Sequence, residues 1–332
     1  MRSTSSPVGA VNPVLVEVLR GGTLESRHRG AAVVVNAAGA VIAAWGDVER
    51  PVFPRSAAKP LQALALVESG AADHFALGVD EIALACASHS GTPRHTIAVD
   101  SWLRRIGLGP EDLECGAHEP SDPVSAHALT RAGQAAVAVH NNCSGKHAGF
   151  LTLARHLAVP TAGYIQPDHP VQVRVAATIG DLIGCDMTTL PCGVDGCGIP
   201  AFAWPLRALA HGLARLAAPG TGVRGEAARR LVQAMAAHPF LVGGPGRFDT
   251  EVMTAIPGLV VKGGAEGVET ALLPDRGLGI AVKIDDGASR AAEVALAAVL
   301  HGLGVTGIAP WLDRPLLNVA GREVGRIRSA EA

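Results

Sequence analysis

The chain has 332 residues and a nearly balanced charge, with 28 basic against 30 acidic side chains and a formal net charge of −2. This balance, together with an aromatic content of only 3%, excludes the basic, base-stacking surface of a nucleic-acid-binding protein. A hydrophobic content of 48% excludes a disordered chain and is enough to build a full core. The first predicted elements are strands at 14–19, 31–35 and 40–45, which are rich in β-branched residues.

After these strands the sequence pattern becomes helical over a long stretch. Helices are predicted at 60–68, 81–86, 93–106, 149–157, 171–183, 205–216, 226–237 and 249–255. Strands return at 259–261, 268–273 and 279–284. A last long helix is predicted at 289–302, before a polar, arginine-rich end.

This order of elements predicts one sheet built from both chain ends and a helical lobe inserted between them. We expect a sheet-containing α/β lobe from 14–55 and 257–332, a mainly helical lobe from 56–256, and a flexible N-terminal tail at 1–13. The tail lacks the pattern of a secretory signal, and the apolar runs are shorter than the roughly 18–20 residues that span a bilayer. We therefore expect a cytoplasmic protein with no membrane partner, whose six cysteines do not form a disulfide framework.

The segment Arg55-Ser56-Ala57-Ala58-Lys59-Pro60 places a serine and a lysine three residues apart at a predicted helix start. That spacing puts both side chains on one helical face, so the amine can reach the hydroxyl. A serine is a poor nucleophile until a nearby base takes its proton, which makes Ser56 and Lys59 a candidate nucleophile and base. The alternative is an N-cap serine followed by a solvated lysine, because this short pattern is common.

Two further segments carry candidate site residues. Ser88 directly follows an apolar run, where polar residues often line a cleft; the alternative is a capping serine at a helix end. Lys262 precedes two glycines at a predicted strand end, an arrangement that lets a backbone approach a ligand closely. The alternative for Lys262 is an exposed turn lysine.

The segment Asn142-Cys143-Ser144-Gly145-Lys146-His147 places a thiol and an amine at the same spacing as the serine and lysine, in a glycine-containing turn. Cys143 could share a metal with Cys197, and thiolate ligands favour zinc, with His147 as a possible further ligand. Two unrelated buried thiols are the alternative. Asp195, beside Cys197, is either an Asx-turn residue or a carboxylate that binds a substrate amine.

Taken in order, these segments form a series that resembles the rhizobial-type L-asparaginase family, asparaginase II of the Rhizobium etli kind. The resemblance runs from about residue 14 to about residue 287 and more weakly to the end. The ordered set is far more specific than any one of its motifs. It comprises Arg20-Gly21-Gly22, Glu25 to Arg29, Arg55 to Pro60, Cys86 to Ser90, Asn142 to His147, Asp168-His169-Pro170, Asp195-Gly196-Cys197, His238-Pro239, Gly246-Arg247 and Lys283 to Gly287.

The resemblance implies an α/β fold similar to serine β-lactamases and glutaminases, with a mainly antiparallel sheet, in a homodimer. The implied activity is hydrolysis of L-asparagine to L-aspartate and ammonia. The implied zinc site, which need not be essential, would take lysine instead of histidine as its third ligand, and lysine must lose a proton to bind metal. By position the resemblance assigns the serine–lysine pairs Ser56 with Lys59 and Ser88 with Lys262, the zinc ligands Cys143, Lys146 and Cys197, and the substrate-binding residues Arg55, Asp195 and His147.

The predicted mechanism is a double displacement in which neutral Lys59 accepts the Ser56 proton and Ser56 attacks the asparagine side-chain amide. Two alternatives remain open at this point. Another Ser–Lys amide hydrolase, such as a penicillin-recognising enzyme, shares the S-x-x-K spacing, but the sequence contains no S-D-N triplet. A cytoplasmic zinc- or amino-acid-binding regulatory protein on the same fold would have no need of two lysine bases.

Overall fold

The computed structural model describes residues 4–5 and 11–330. Most of the expected flexible tail at 1–13 lies outside these residues. The strands of the described part, in chain order, are β1 (Thr4–Ser5), β2 (Val14–Arg20), β3 (Thr23–Asn36), β4 (Val41–Gly46), β5 (Pro51–Val52), β6 (Cys192–Val194), β7 (Pro200–Phe202), β8 (Trp204–Pro205), β9 (Val260–Gly263), β10 (Val268–Leu273), β11 (Leu278–Ile284), β12 (Asp313–Leu317) and β13 (Glu323–Ser329).

The α-helices account for most of the long middle stretch, as the sequence predicted. A 3₁₀ turn at Arg55–Ala58 leads directly into the first of them. In chain order the helices are α1 (Lys59–Glu68), α2 (Ala71–His74), α3 (Val79–Ala85), α4 (Pro93–Arg105), α5 (Pro123–Arg131), α6 (Ser144–His156), α7 (Pro170–Ile183), α8 (Leu206–Ala217), α9 (Gly222–Ala237), α10 (Pro239–Val242), α11 (Phe248–Ala255) and α12 (Ser289–Gly302).

The main sheet has nine strands along the path β12-β13-β2-β3-β11-β10-β9, with β4 paired to β3 and β1 to β4. Its ladders are antiparallel among the described residues, except that β1 runs parallel to β4. Strand β3 from the N-terminal part pairs with β11 from the C-terminal part, with Val34 opposite Ile280. This pairing confirms the predicted α/β fold with a mainly antiparallel sheet built from both chain ends.

The internal contacts divide the chain into two compact units. The sheet unit comprises Met1–Ala57, Ala203–Ala218 and Ala255–Ala332, and the helical unit comprises Ala58–Phe202 and Pro219–Thr254. Helix α8, expected in the helical lobe, therefore belongs to the sheet unit, because it packs on β3, β10 and β11. Gly279 on β11 permits this packing, since a Cβ there would collide with the α8 backbone at Ala210 and Ala214. The division of the chain into domains at 56 and 256 stays a prediction.

In the helical unit, α1 is the central helix and packs against α6, α7 and α9. Its buried residues include Leu61, Leu64 and Ala65, which a helix surrounded by others requires. Helix α6 approaches α3 closely at Gly145, where a Cβ would collide with the Leu84 carbonyl. The glycine therefore brings the start of α6 against the end of α3.

Three predictions about local structure were wrong in detail. Helix α6 begins at Ser144, so Lys146 and His147 lie in its first turn and not in a glycine-containing turn. The charged cluster Glu25 to Arg29, expected between strands, lies inside β3, which is 14 residues long. The arginine-rich end forms β12 and β13, whose outward side chains make ion pairs such as Arg326 with Asp313 at 2.7 Å.

None of the helices in the described part of the chain is both long enough and apolar enough to cross a membrane.

Candidate active site

Lys59 is a buried lysine at the first position of α1, with an exposed fraction of 1%. Pro60 follows it in the first helical turn, where a missing N–H costs nothing. The Lys59 Nζ donates hydrogen bonds to the Ala87 carbonyl at 2.5 Å and to Ser88 Oγ at 3.0 Å. The structure therefore joins one predicted catalytic lysine to one predicted catalytic serine, although the resemblance had assigned these two residues to different pairs.

Backbone contacts hold the segment that carries Ser88. The Ser88 N–H donates to the Val242 carbonyl at 3.0 Å, and Ser90 Oγ donates to the Gly243 carbonyl at 2.8 Å. Gly244 has a φ of +110°, and a Cβ there would collide with the Ser90 side chain, so only glycine fits this close approach. Ser88 is 4% exposed and thus sits on a fixed, buried backbone.

His89 ties the Ser88 segment to the start of α6. Its backbone N–H donates to the Asn142 carbonyl at 3.2 Å, and its Nε2 lies 2.8 Å from Ser144 Oγ. The Gly91 N–H donates to Nδ1 at 3.1 Å, which leaves Nε2 as the protonated nitrogen that donates to Ser144. Burial, with the His95 and Lys59 charges, lowers the pKa of His89 well below its usual range. His89 is therefore a neutral residue that links the Ser88 segment to α6. From the sequence alone, an ordinary turn at a helix end was the alternative for this segment.

The predicted thiol and amine ligands also meet in the helical unit. Lys146 Nζ donates to Cys197 Sγ at 3.0 Å. Cys143 precedes α6, its N–H donates to Asn141 Oδ1 at 2.8 Å, and its sulfur is hydrogen-bonded to Cys197. All three residues are buried, with exposed fractions of 7%, 2% and 5% for Cys143, Lys146 and Cys197.

The protonation of this cluster follows from its contacts. The hydrogen bond from Cys197, with the Lys59 and Lys146 charges, holds the pKa of Cys143 well below its usual range despite burial. The same hydrogen bond, with burial, raises the pKa of the Cys197 thiol. Burial opposes a charge on Lys146, but the Cys143 and Cys197 sulfurs outweigh it and raise the pKa of the amine. These shifts favour negative charge on Cys143 and positive charge on Lys146.

The donor chemistry of this cluster fits zinc. Thiolates are preferred zinc ligands, and the surroundings of Cys143 lower its pKa and so favour the thiolate form. Residues 4–5 and 11–330 contain no group of three or more histidine, cysteine, aspartate or glutamate side chains that could hold a metal. Zinc would therefore need Lys146 as the third protein ligand, and its binding would displace the protons of Lys146 and Cys197.

Asp195 and Cys197 lie in the loop of the hairpin formed by β6 and β7. The Asp195 N–H donates to the Ile199 carbonyl at 2.9 Å, which closes the loop, and Gly198 has a φ of +89°. The Asp195 carboxylate accepts from the Gly196 N–H at 2.7 Å and acts electrostatically on Lys146. This half-buried carboxylate therefore lies near Lys146.

His147 is fully buried in α6, one residue after Lys146. Its Nδ1 lies 2.7 Å from the hydroxyl of Tyr164, the single tyrosine of the chain. Burial, with the Lys146 and Lys59 charges, lowers the pKa of His147 well below its usual range. Sequence reasoning missed Tyr164, and its uniqueness in the composition was the one available signal.

The remaining predicted residues lie in the sheet unit. Arg55 has a φ of +52°, a conformation that costs a non-glycine residue on the order of 1–3 kcal/mol and often marks functional positions. Ser56 follows it and is half-buried. Lys262 on β9 is fully buried, and its Nζ donates to the Gly263 carbonyl at 2.6 Å. A Cβ on Gly264 would lie 2.5 Å from the Pro54 carbonyl, so the end of β9 touches the turn that carries Ser56.

Several solved structures are similar to this chain in fold at low sequence identity. One, described as Mglu, is 15% identical with a TM-score of 0.46 and covers 83% of this chain and 67% of its own. A β-lactamase from Mycobacterium bovis is 15% identical with a TM-score of 0.42 and covers 82% and 94% of the two chains. A putative β-lactamase from Bacteroides dorei is 14% identical with a TM-score of 0.43, covering 82% and 93%. No curated protein matches the chain.

A family model described as L-asparaginase II matches residues 16–329. The match spans nearly all of the described residues and includes every candidate residue described above. By this match the chain is an amide hydrolase. It belongs to the L-asparaginase II family.

Proposed function

We propose that this protein hydrolyses L-asparagine to L-aspartate and ammonia through a serine acyl-enzyme. The contact between Lys59 and Ser88 is the observation that carries the proposal, since it supplies a buried amine in hydrogen-bond contact with a serine hydroxyl. Membership of the L-asparaginase II family supports asparagine as the amide.

The contacts of Lys59 support its role as the base for Ser56. Lys59 Nζ donates to the Ala87 carbonyl at 2.5 Å and to Ser88 Oγ at 3.0 Å, and these contacts hold the amine at the start of α1. Ser56 precedes Lys59 by three residues in the 3₁₀ turn Arg55–Ala58 and is the nucleophile in this proposal. Burial of Lys59 opposes its charged form, and the base in this proposal is the neutral amine.

In the proposed reaction, Ser56 Oγ attacks the side-chain amide carbon as Lys59 takes its proton. Lys59 then gives that proton to the departing nitrogen, the C–N bond breaks, and ammonia leaves an aspartyl ester on Ser56. Water, deprotonated by the same amine, hydrolyses the ester and releases L-aspartate. Ser88 orients the Lys59 amine, and Lys262 is the second lysine that the resemblance implies.

Substrate binding and zinc complete the proposal. Asp195 binds the substrate amine, and Arg55 and His147 bind its oxygens. Cys143, Lys146 and Cys197 would hold zinc, which when bound supplies positive charge to orient and polarise the substrate. We also propose a cytoplasmic homodimer, which size-exclusion chromatography with light scattering would test.

The experiment is ammonia release from L-asparagine and, in parallel, from L-glutamine, with protein of measured zinc content. Release from asparagine at a kcat/KM at least about a hundredfold higher than from glutamine is the expected result. Equal release would contradict asparagine selectivity. Binding of asparagine with no ammonia release would favour a regulatory amino-acid-binding protein, and nitrocefin hydrolysis would favour a penicillin-recognising enzyme.

A further inference from the structure

The hydroxyl of Tyr164 lies between two partners in the helical unit. The Glu114 N–H donates to it at 2.9 Å, and His147 Nδ1 lies 2.7 Å away on the other side. Both the tyrosine and the histidine have an exposed fraction of 0%. Water therefore does not compete for either contact, and the positions of the protons follow from counting donors and acceptors.

A phenol has one proton to give and can accept from others. The Glu114 N–H can only donate, so Tyr164 accepts there. If Tyr164 then donates its own proton to His147 Nδ1, both contacts of the hydroxyl are satisfied. In a neutral imidazole one nitrogen accepts and the other carries the proton, so this arrangement places the His147 proton on Nε2.

The reverse arrangement is less favourable. Both arrangements leave His147 Nε2 without a partner within residues 4–5 and 11–330. If His147 Nδ1 carried the proton and donated to Tyr164, the hydroxyl proton of Tyr164 would in addition be buried without an acceptor in either contact. Burying an unpaired polar group costs more than a single hydrogen bond contributes. The tyrosine therefore selects the histidine tautomer that is protonated at Nε2.

His147 Nε2 is itself a buried atom with no hydrogen-bond partner within residues 4–5 and 11–330. A fully buried N–H without an acceptor is rare in proteins and calls for a missing one. The Lys146 amine, on the preceding residue of α6, acts electrostatically on the ring, so an anionic oxygen is favoured at this position. A substrate carboxylate supplies such an acceptor.

We propose that Tyr164 is a positioning residue that fixes His147 as an Nε2–H donor to the α-carboxylate of the amino-acid substrate. This inference rests on the proposed amidohydrolase function. Other contacts keep Tyr164 in place, because Gln172 Nε2 donates to its carbonyl at 2.9 Å and the Gly163 N–H donates to the Glu114 carboxylate at 2.6 Å. The hydroxyl is therefore preorganised before substrate binds.

The tautomer can be read directly by long-range ¹H–¹⁵N correlation NMR of the full chain with labelled histidine, with the His147 signals assigned by H147Q. In the wild type we expect an unprotonated Nδ1 and a protonated Nε2 for His147. In Y164F we expect a mixture of the two tautomers. A wild-type His147 protonated at Nδ1 would overturn the proposal. This readout needs no catalysis, so it stands apart from the test of asparagine hydrolysis.

Enzyme kinetics and the binding of L-aspartate test whether His147 binds the substrate carboxylate. Y164F should raise the KM for asparagine and the Kd for L-aspartate about tenfold and leave kcat within about threefold, because a ground-state contact to a carboxylate is weakened. In an H147Q background, where the amide nitrogen replaces Nε2–H and has no tautomer, Y164F should have no further effect. An equal loss in both backgrounds would show a merely structural role, and a loss in kcat alone would exclude the carboxylate as acceptor.

Discussion

Lys59 Nζ lies 3.0 Å from Ser88 Oγ, and the two residues are separated by 29 positions in the chain. The sequence spacing paired Lys59 with Ser56, and the family resemblance paired Ser88 with Lys262. The contact makes Ser88 an acceptor for a lysine N–H. Ser56 and Ser88 are therefore expected to have different roles in the reaction.

Replacing Ser56 with alanine should abolish turnover, whereas replacing Ser88 should only weaken it. Loss of a serine nucleophile costs on the order of 10⁶ in kcat. Loss of an oriented proton-transfer partner costs about 10²-fold. Ammonia release and mass spectrometry of a trapped acyl-enzyme measure both effects. S69A, at the far end of α1, is the control and should behave as the wild type; an S88A enzyme less active than S56A would reassign the nucleophile.

The proposed zinc ligands Cys143, Lys146 and Cys197 predict about one bound zinc ion per chain. Substitution of a residue that only supports a metal ligand typically lowers metal affinity about 10–100-fold. C197S removes a sulfur ligand itself and should therefore lower zinc affinity by more than this. The exposed Cys192 offers a matched control, and C192S should keep its metal. Zinc content after dialysis against a chelator, measured by mass spectrometry, tests this. Retention of zinc by C197S would exclude the proposed ligand set.

The sequence predicted the elements whose apolar residues form a clear run or a clear helical period. The strand at 31–35 is a fully apolar run, the strand at 279–284 is apolar except for Lys283, and the two proved to be paired in β3 and β11. The helix at 289–302 matches α12. By contrast β13 was missed, because its arginines pair with carboxylates and only Ile327 is fully buried, so that no apolar alternation is visible.

The residues of the candidate site could be predicted from the sequence, but the contacts between them could not. Family motifs point to Cys143, Lys146 and Cys197, and the structure brings these three together. The Lys59–Ser88 contact could not be predicted, because it depends on how α1 packs against α3 and the segment that follows α3. Tyr164 was missed for the same reason, since its hydroxyl acts across 17 positions of chain and within no recognisable motif.

The N-cap of α5 gives a stability prediction away from the site. The Asp122 carboxylate accepts from the Ser125 N–H at 2.9 Å and from its hydroxyl at 2.5 Å, and the hydroxyl contact is the main cause of its lowered pKa. D122A should lower the free energy of unfolding by about 1 kcal/mol, while D122N should retain most of it. Denaturant melts at neutral pH measure the difference.

The same cap gives a pH dependence. The folded-state pKa of Asp122 lies below its unfolded value of about 3.9, so its contribution is present above that pH and is lost as the pH falls through the folded-state pKa. The gap in unfolding free energy between wild type and D122A should therefore close in acid. A gap that stays constant down to pH 2 would contradict a charged cap.

Buried histidines predict a second, steeper loss of stability at higher pH. The rings of His89 and His95 stack 4.9 Å apart, and burial is the main cause that lowers the pKa of each. Because the folded-state pKa lies below the unfolded value, the unfolded chain binds more protons. Stability is therefore complete above about pH 6.5 and falls as the pH drops from there toward the folded-state values.

The variant H95Q removes the contribution of His95 to the pH dependence of stability. Each buried neutral histidine contributes a slope of up to about 1.4 kcal/mol per pH unit in this window. H95Q also loses the contact of His95 Nε2 with the Phe240 carbonyl, so its stability is lower at every pH, but its slope between pH 6 and pH 5 should be smaller by about that amount. Urea unfolding across the pH range measures the slope. An H95Q slope equal to that of the wild type would show that His95 already carries its proton in the folded protein.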